Sequence, residues 1–209
     1  MKLIDLEWCF CGAKESLQQV YDLAKSVENI EGDLVECGIA SGSGIAAMKR
    51  ACPDKTVWGY DSFEGIQLAG PNDSQQPGKG KIEHDTNVPL GQLLYSSGVT
   101  VCPRDWVDAQ LKGWGFKEAD FRLVEGWVQN TLPDTKPEKI ALLRLDMDIY
   151  DPTLFALREL WDRIQPGGVL IIDDTDLEGV LKACRDFFTE IDYKPEWVTG
   201  NFNPKYLIK

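Results

Sequence analysis

The sequence predicts an α/β protein with a doubly wound, mostly parallel sheet and helices on both of its faces. Short apolar runs alternate along the chain with segments whose apolar residues recur at helical spacing, and this order is typical of βαβ units. Parallel sheets of this kind are covered on both faces, which agrees with the apolar character of the short runs. The length of 209 residues is typical of one domain, so residues 1–209 are interpreted as a single domain.

Four elements are predicted before residue 62. Residues 14–30 place apolar side chains at helical spacing and predict an amphipathic helix. Residues 34–38 predict the first strand, which is followed by a turn rich in glycine and serine and by a helix that ends near residue 51. Residues 57–60 predict the second strand, which leads into Asp61.

The second half of the sequence continues the alternation. Asp151 and Pro152 begin a helix, because Asp is a favoured cap and Pro is tolerated at the first helical position. Another helix is predicted over residues 180–191. Further strands are predicted at residues 121–125, 140–145 and 169–172, and a closing antiparallel hairpin at residues 196–199 and 205–208.

One long segment does not fit this alternation. Residues 66–104 are rich in glycine, proline, asparagine, serine and glutamine, and they follow the second strand directly. A loop of this length is uncommon in a compact domain unless it covers a site or binds a ligand. We therefore predict a lid insertion at residues 66–104, with a tolerated surface insertion as the alternative. The single histidine of the chain, His84, lies within it.

The composition excludes several classes of protein. The net charge is −12, whereas a nucleic-acid-binding face is basic, so no nucleic-acid partner is expected. No apolar run approaches the roughly 20 residues of a membrane span, and residues 1–5 lack the apolar core of a signal sequence, so no membrane partner is expected. The six cysteines are scattered, which favours reduced thiols and a cytoplasmic protein.

Acidic side chains are concentrated where the predicted strands end. Ligands of open α/β sheets bind beyond the carboxyl ends of the strands, so these positions form the candidate site. So many carboxylates repel one another unless a cation or a positively charged ligand lies among them. Six acids are predicted to meet at this edge: Glu36, Asp61, Asp146, Asp148, Asp173 and Asp174.

The turn after the first strand favours a cofactor that has no phosphates. Its pattern, Glu36-x-Gly38-x-x-x-Gly42-x-Gly44, differs from the dinucleotide fingerprint because an acid precedes the first glycine. That acid would repel a pyrophosphate but suits a cationic or hydroxyl-rich ligand. Asp61 stands where a carboxylate binds ribose hydroxyls in this class of fold. We therefore predict S-adenosylmethionine (SAM) as the cofactor, with a turn that serves packing alone as the alternative.

The fourth and fifth strands carry a candidate metal site. These strands are expected to be neighbours, so their ends would lie about 5 Å apart. Three carboxylates from two adjacent strand ends form a hard-oxygen site, which suits Mg²⁺ or Ca²⁺ better than zinc. A fourth carboxylate could remain free as a base. The alternative is helix capping by Asp148, Asp151 and Asp174, which leaves Asp146 and Asp173 unexplained.

Five sequence blocks together resemble the macrocin O-methyltransferase family. They occur in the family's order over residues 32–190, and their combination is far more specific than any single block. The family's enzymes depend on SAM and Mg²⁺ and methylate sugar hydroxyls of natural products. The blocks are Gly32-Asp33-Leu34-Val35-Glu36-Cys37-Gly38, Asp61-Ser62-Phe63-Glu64-Gly65, Gly126-Trp127 with Thr131-Leu132-Pro133, Leu143-Arg144-Leu145-Asp146-Met147-Asp148-Ile149-Tyr150, and Pro166-Gly167-Gly168 with Asp173-Asp174.

The resemblance implies a Rossmann-like methyltransferase fold and a role for each site residue. Asp148 would be the general base, and the metal ligands would be Asp146, Asp173 and Asp174. The resemblance also implies a homodimer or a higher oligomer. Trp127 follows the third strand, where it would either wall the adenine or pack in the core. The residues expected to contact the cofactor are Glu36, Gly38, Ser41, Asp61, Ser62 and, in the first of those roles, Trp127.

Methyl transfer to a hydroxyl is the mechanism that fits these residues. Mg²⁺ would lower the pKa of an acceptor hydroxyl, and Asp148 would remove its proton. Two other functions remain open at this point. A catechol also offers two vicinal oxygens, so a metal-dependent catechol methyltransferase is one alternative. A non-catalytic binding module with this fold is the other, and the intact Asp148 argues against it.

Overall fold

The computed structural model describes residues 14–67, 69–73, 101–199 and 204–209. The described part of the chain contains a single seven-stranded sheet with helices on both of its faces, so the predicted α/β class is confirmed. No helix in this part is long and apolar enough to cross a membrane. The strands are β1 (Asp33–Cys37), β2 (Val57–Asp61), β3 (Phe121–Glu125), β4 (Ile140–Leu145), β5 (Ile164–Ile172), β6 (Val198–Thr199) and β7 (Lys205–Ile208).

The sheet order places a crevice at the centre of the molecule. The strands lie in the order β3-β2-β1-β4-β5-β7-β6, and the first five are parallel. The chain runs outward in one direction from β1 to β3 and in the other from β4 to β5. Ligands of such sheets bind at this reversal, beyond the carboxyl ends of β1 and β4. β7 pairs antiparallel with both β5 and β6, which confirms the predicted C-terminal hairpin.

Two apolar layers cover the sheet. One contains buried side chains of α1, α2 and α3 against one face, and the other contains those of α4, α5 and α6 against the opposite face. Covering both faces explains why every residue of β4 is buried. The helices are α1 (Lys14–Ser26), α2 (Ser43–Ala51), α3 (Arg104–Gly113), α4 (Val128–Thr131), α5 (Tyr150–Leu160) and α6 (Glu178–Glu190).

Several boundaries differ from the prediction. α1 ends at Ser26 rather than near residue 30, and β5 begins at Ile164, five residues before its predicted start. α3 and the short α4 were not predicted as helices. α3 takes in residue 104, the last residue of the predicted lid insertion, and buries Val107 and Leu111. The insertion's residues 74–100, with His84, lie outside the described residues.

Candidate active site at the carboxyl edge of the sheet

Three acidic side chains converge beyond the ends of β4 and β5. Asp146 and Asp148 follow β4, and Asp174 follows β5. One carboxylate oxygen of each lies within 4.8 Å of the other two. Asp173, which was also expected at the metal, instead accepts a hydrogen bond from the Arg144 guanidinium. The described structure therefore brings together two of the three expected metal ligands and the expected base.

The backbone around this edge is held in an uncommon conformation. Asp148 has a φ of 62° and Asp174 a φ of 50°, both in the left-handed region. Ala40 and Phe63, in the loops after β1 and β2, have φ values of 42° and 58°. Non-glycine residues adopt this region at a cost, and such strain concentrates at functional sites. Of the described non-glycine residues with positive φ, only Asp192 lies outside these four loops.

Arg144 connects the acidic side chains of three strands. It is a buried residue of β4 with 8% exposure, and its guanidinium forms ion pairs with Glu36 of β1, with Asp146 and with Asp173. A buried arginine requires such partners because an unpaired charge in the interior is costly. No role was assigned to Arg144 from the sequence. A cation within the otherwise apolar run of β4 was nevertheless a signal, since charged residues are almost never fully buried unless paired.

The electrostatics of the cluster favour a bound cation. Burial raises the pKa of Asp174 well above its usual range, and the three neighbouring aspartates raise it further. Burial also raises the pKa of Asp146, although Arg144 opposes this shift. A divalent cation among these carboxyls would lower their pKa values, because an opposite charge favours the ionised form.

Glycines bring the turn after β1 against the acidic cluster. Gly38 has a φ of 83°, and a Cβ there would lie 1.7 Å from the carbonyl oxygen of Asp146. A Cβ on Gly44, in the first turn of α2, would lie 2.2 Å from Oε1 of Glu36. The Gly38 position therefore requires glycine, whereas a side chain at Gly44 would have to displace the Glu36 carboxylate. The turn and the end of β4 are in direct backbone contact as a result.

Glu36 lies beneath this turn. Its side chain is 1% exposed, and burial raises its pKa to about 7 although Arg144 lowers it. Oε1 accepts a hydrogen bond from Arg144, whereas the buried Oε2 has no hydrogen-bond partner among the described residues. Buried carboxylate oxygens are normally satisfied. Oε2 is therefore an open acceptor next to the turn.

Asp61 fixes the loops that follow β1 and β2. Its Oδ2 accepts hydrogen bonds from the backbone N–H groups of Ile39 (2.8 Å) and Ala40 (3.0 Å), and its Oδ1 accepts one from Phe63 (2.7 Å). Burial raises the pKa of Asp61, and these hydrogen bonds counteract that shift. The backbone N–H of Ser62 is a fourth donor to this carboxylate.

The remaining predicted cofactor residues surround the same crevice or lie at its edge. Ser41 is buried in the turn, where its hydroxyl lies 2.9 Å from that of Ser43. Ser62 is also buried, and its hydroxyl accepts from Glu64 N–H and donates to the carbonyl of Gly65. Trp127 is half-buried between β3 and α4. Its position leaves both predicted roles open.

Asp73 is a structural residue of the site that the sequence analysis missed. Its Oδ1 accepts a hydrogen bond from the backbone N–H of Tyr150 at the start of α5, and its Oδ2 accepts one from Gly70. A Cβ on Gly179 of α6 would lie 1.9 Å from Asp73 Oδ1, so glycine is needed there. Asp73 thus joins the loop after β2 to α5 and α6. Its partner Tyr150 lies two residues beyond Asp148 in the chain. No local pattern reveals a partner this distant in sequence.

The capping interpretation of the aspartates receives no support. The N-cap positions of α5 and α6 are Ile149 and Leu177, and neither helix has a side-chain cap from that position. Asp151, expected as a cap, lies in the first turn of α5 instead. The described cap of α5 is Asp73, from a different loop.

Sheet order, crevice and acidic cluster together define a Rossmann-like protein with its ligand site at the reversal of the sheet. A sequence model of the macrocin O-methyltransferase family matches residues 8–196. The tetracenomycin enzyme of Streptomyces olivaceus, an 8-demethyl-8-(2,3-dimethoxy-alpha-L-rhamnosyl)-tetracenomycin-C 4'-O-methyltransferase, is 35% identical over 164 residues, which are 76% of this chain and 57% of the relative. The demethyldecarbamoylnovobiocin O-methyltransferase of Streptomyces niveus is 30% identical over 177 residues, 82% of this chain and 63% of the relative.

A solved structure is similar over nearly the whole chain. The O-methyltransferase NovP superposes with a TM-score of 0.77 at 25% identity, covering 94% of this chain and 80% of that one. The chain spans about three fifths of the length of the curated relatives it matches. On the family match, the chain belongs to the macrocin O-methyltransferase family.

Proposed function

We propose that this protein is a SAM-dependent, Mg²⁺-dependent O-methyltransferase that acts on a hydroxyl of a sugar or glycosylated natural product. The observation that carries the proposal is the backbone contact between Gly38 and Asp146. It places a glycine-rich turn of the type that holds SAM directly against a cluster of carboxylates. The named activities of the relatives, one of which modifies a rhamnosyl compound, support a sugar acceptor.

The residues at the turn fit the cofactor. Glycines leave the turn open where a Cβ would fill it, and Glu36 Oε2 is a buried acceptor with no partner among the described residues. SAM offers a positively charged amino-acid group and ribose hydroxyls, and it would supply the methyl group. Asp61 holds the turn in shape, and a ribose hydroxyl would share its carboxylate oxygens with the backbone donors. Gly38, Ser41, Ser62 and Trp127 complete the proposed cofactor residues.

The acidic cluster fits a hard divalent cation, because all of its donor atoms are carboxylate oxygens. Bound Mg²⁺ would lower the pKa of an acceptor hydroxyl. We assign Asp146, Asp173 and Asp174 to the cation and Asp148 to the hydroxyl proton. Asp148 lies in the cluster and can accept that proton while the methyl group is transferred. The Arg144 guanidinium pairs with both Asp146 and Asp173, so the two carboxylates lie on the same cation.

Two asparagine variants separate these roles. Asp173→Asn should weaken Mg²⁺ binding in calorimetry and raise the Mg²⁺ concentration needed for turnover. Asp148→Asn should leave Mg²⁺ and SAM affinity nearly unchanged and reduce the rate by about 10²–10⁴-fold, the usual contribution of a positioned base. The contradicting result is that Asp148→Asn abolishes Mg²⁺ binding while Asp173→Asn does not. The cation would then be held by Asp146, Asp148 and Asp174, and the assignment of Asp173 as a ligand and Asp148 as the base would be wrong.

The acceptor class is tested with the wild-type protein. Methyl transfer from SAM is measured with deoxysugar glycosides and with a catechol, each with Mg²⁺ and with EDTA. The proposal expects transfer to a sugar hydroxyl that stops with EDTA. Transfer to the catechol alone would establish the alternative acceptor, and transfer that persists in EDTA would refute the metal role. Binding of SAM without transfer to any acceptor would favour a binding module.

A further inference from the structure

A second cavity lies beside the acidic cluster. It is an open pocket with a volume of about 360 Å³, lined by residues of α6, of the segment after α6 and by the first residue of β7. This size is within the range of small-molecule sites. Thr175, which directly follows Asp174, lines it. Lys205 also lines it and pairs with Ile172, the last residue of β5. Since paired strands lie about 4.8 Å apart, the cavity begins one strand away from the acidic cluster.

Three cations line this cavity without a carboxylate partner. They are Arg185, Lys194 and Lys205, and none forms an ion pair within the described part of the chain. Lys182, one turn before Arg185 on α6, differs from these three cations because its Nζ forms an ion pair with Asp186 at 2.5 Å. In a chain of net charge −12, acidic partners are abundant. Cations that are not held in ion pairs can attract an anionic ligand to this cavity.

Aromatic rings form the wall of the same cavity. Phe188 is buried, and its ring lies 5.6 Å from that of Tyr193 and 5.7 Å from that of Trp197, measured between centroids. All three line the cavity, and Tyr193 and Trp197 are only half-buried. Partly exposed rings offer flat surfaces on which a planar ring can pack. Rings and cations together suit a ligand that is both planar and anionic.

We propose that this cavity is an acceptor subsite for a planar ring that carries a phosphate or carboxylate group. The inference rests on the proposed function, because it places the hydroxyl-bearing sugar at the acidic cluster and the anionic ring in the adjacent cavity. The acidic cluster repels an anionic acceptor, and Lys205, one strand away, opposes that repulsion. Such a ligand is a sugar joined either to a nucleoside diphosphate or to an aromatic carboxylic acid.

The test removes two cations that lie at the surface. The double variant Arg185→Gln/Lys194→Gln is compared with Lys182→Gln, which changes a paired cation of α6 that does not line the cavity. Methyl transfer is measured with one deoxysugar in three forms: a nucleoside diphosphate sugar, a glycoside of para-hydroxybenzoate and a neutral methyl glycoside. The double variant should raise KM about tenfold or more for at least one anionic form. The neutral glycoside and Lys182→Gln should show wild-type values.

The two anionic forms identify the source of the ring. A rise in KM confined to the nucleotide sugar assigns the subsite to a nucleoside diphosphate, and a rise confined to the benzoate glycoside assigns it to an aromatic acid. Unchanged KM for both anionic forms overturns the proposal. An equal rise for the neutral glycoside also overturns it, because the cations would then act on the protein as a whole.

Binding without turnover keeps this test separate from the proposed function. Uridine diphosphate and para-hydroxybenzoate are titrated into the full chain by calorimetry in EDTA, which removes metal-bridged binding. If no acceptor is methylated but one probe binds the wild type and binds the double variant at least about tenfold more weakly, the cavity is a site and only the proposed function fails. If neither probe binds the wild type and methylation of the neutral glycoside proceeds normally, the subsite is wrong and the proposed function stands.

Discussion

Replacing Arg144 with methionine tests whether one buried cation stabilises the whole acidic site. Methionine keeps an unbranched side chain and removes the charge. Within the described residues, no other cation forms an ion pair with Glu36, Asp146 or Asp173. Removing one partner of a buried ion pair typically costs about 3–5 kcal/mol, since the other charge is left unpaired. We expect the free energy of unfolding of Arg144→Met to fall by about this amount near neutral pH.

The size of this loss should depend on pH. Burial raises the pKa of Glu36 from 4.5 to about 7, and Arg144 opposes a further rise. An acid whose pKa is raised on folding stabilises the protein below its unfolded pKa, and this contribution is lost as the pH rises through its folded pKa. In Arg144→Met the pKa of Glu36 is higher still, so stability continues to fall above pH 7 by about 1.4 kcal/mol per pH unit. The loss relative to wild type should therefore grow from pH 5 to pH 8.

Urea unfolding in EDTA at the two pH values measures this difference. The control is Arg158→Met on α5, where the arginine is half exposed and pairs with Glu190. An exposed pair contributes about 0–1 kcal/mol, so the control should lose little at either pH. An equal loss for Arg144→Met at pH 5 and pH 8 would mean that the variant lost packing rather than charge pairing, and the electrostatic reasoning would be refuted.

Three further predictions concern separate parts of the site. Gly44→Ala should weaken SAM binding in calorimetry and lower the free energy of unfolding by about 1–3 kcal/mol, because its Cβ would lie 2.2 Å from Oε1 of Glu36. The control is Gly113→Ala, because a Cβ there would have no atom within 4 Å. Asp73→Ala should lower the free energy of unfolding in urea by about 0.5–2 kcal/mol, since it removes the described cap of α5, and an unchanged value would contradict that role. Mg²⁺ should raise the thermal midpoint of the wild type but not of Asp174→Asn, and equal shifts in both proteins would exclude Asp174 as a ligand.

The sequence allowed the sheet and the acidic edge to be predicted because both depend on local patterns. Buried parallel strands are short apolar runs, and the residue that follows each run can be read directly. The acids after β4 and β5 could be placed close together because sheets of this winding make those strands neighbours. The same reasoning missed α3, because its residues adjoin a segment whose composition is typical of loops and only Val107 and Leu111 are buried.

The contacts within the site depended on information that a local pattern does not contain. Asp73 and Tyr150 are 77 residues apart and meet only because the loop after β2 folds over α5. The orientation of Asp173 towards Arg144 rather than towards the other aspartates follows from side-chain geometry at the end of β5. Strand order fixes which ends are adjacent, whereas ion pairing decides which way each carboxylate points.

The position of Arg144 explains how a cluster of acids can persist in the folded protein before a cation binds. Its guanidinium pairs with Glu36 beneath the glycine turn and with Asp146 and Asp173 beyond the ends of β4 and β5. Because Arg144 is buried, neither water nor salt screens these contacts strongly. Asp148 and Asp174 occupy left-handed backbone conformations at the same edge. Arg144 neutralises part of the negative charge of the cluster, and a divalent cation would neutralise more of it. The proposed cofactor turn and the proposed cation site are consequently linked through one side chain, so occupancy of either should influence the other.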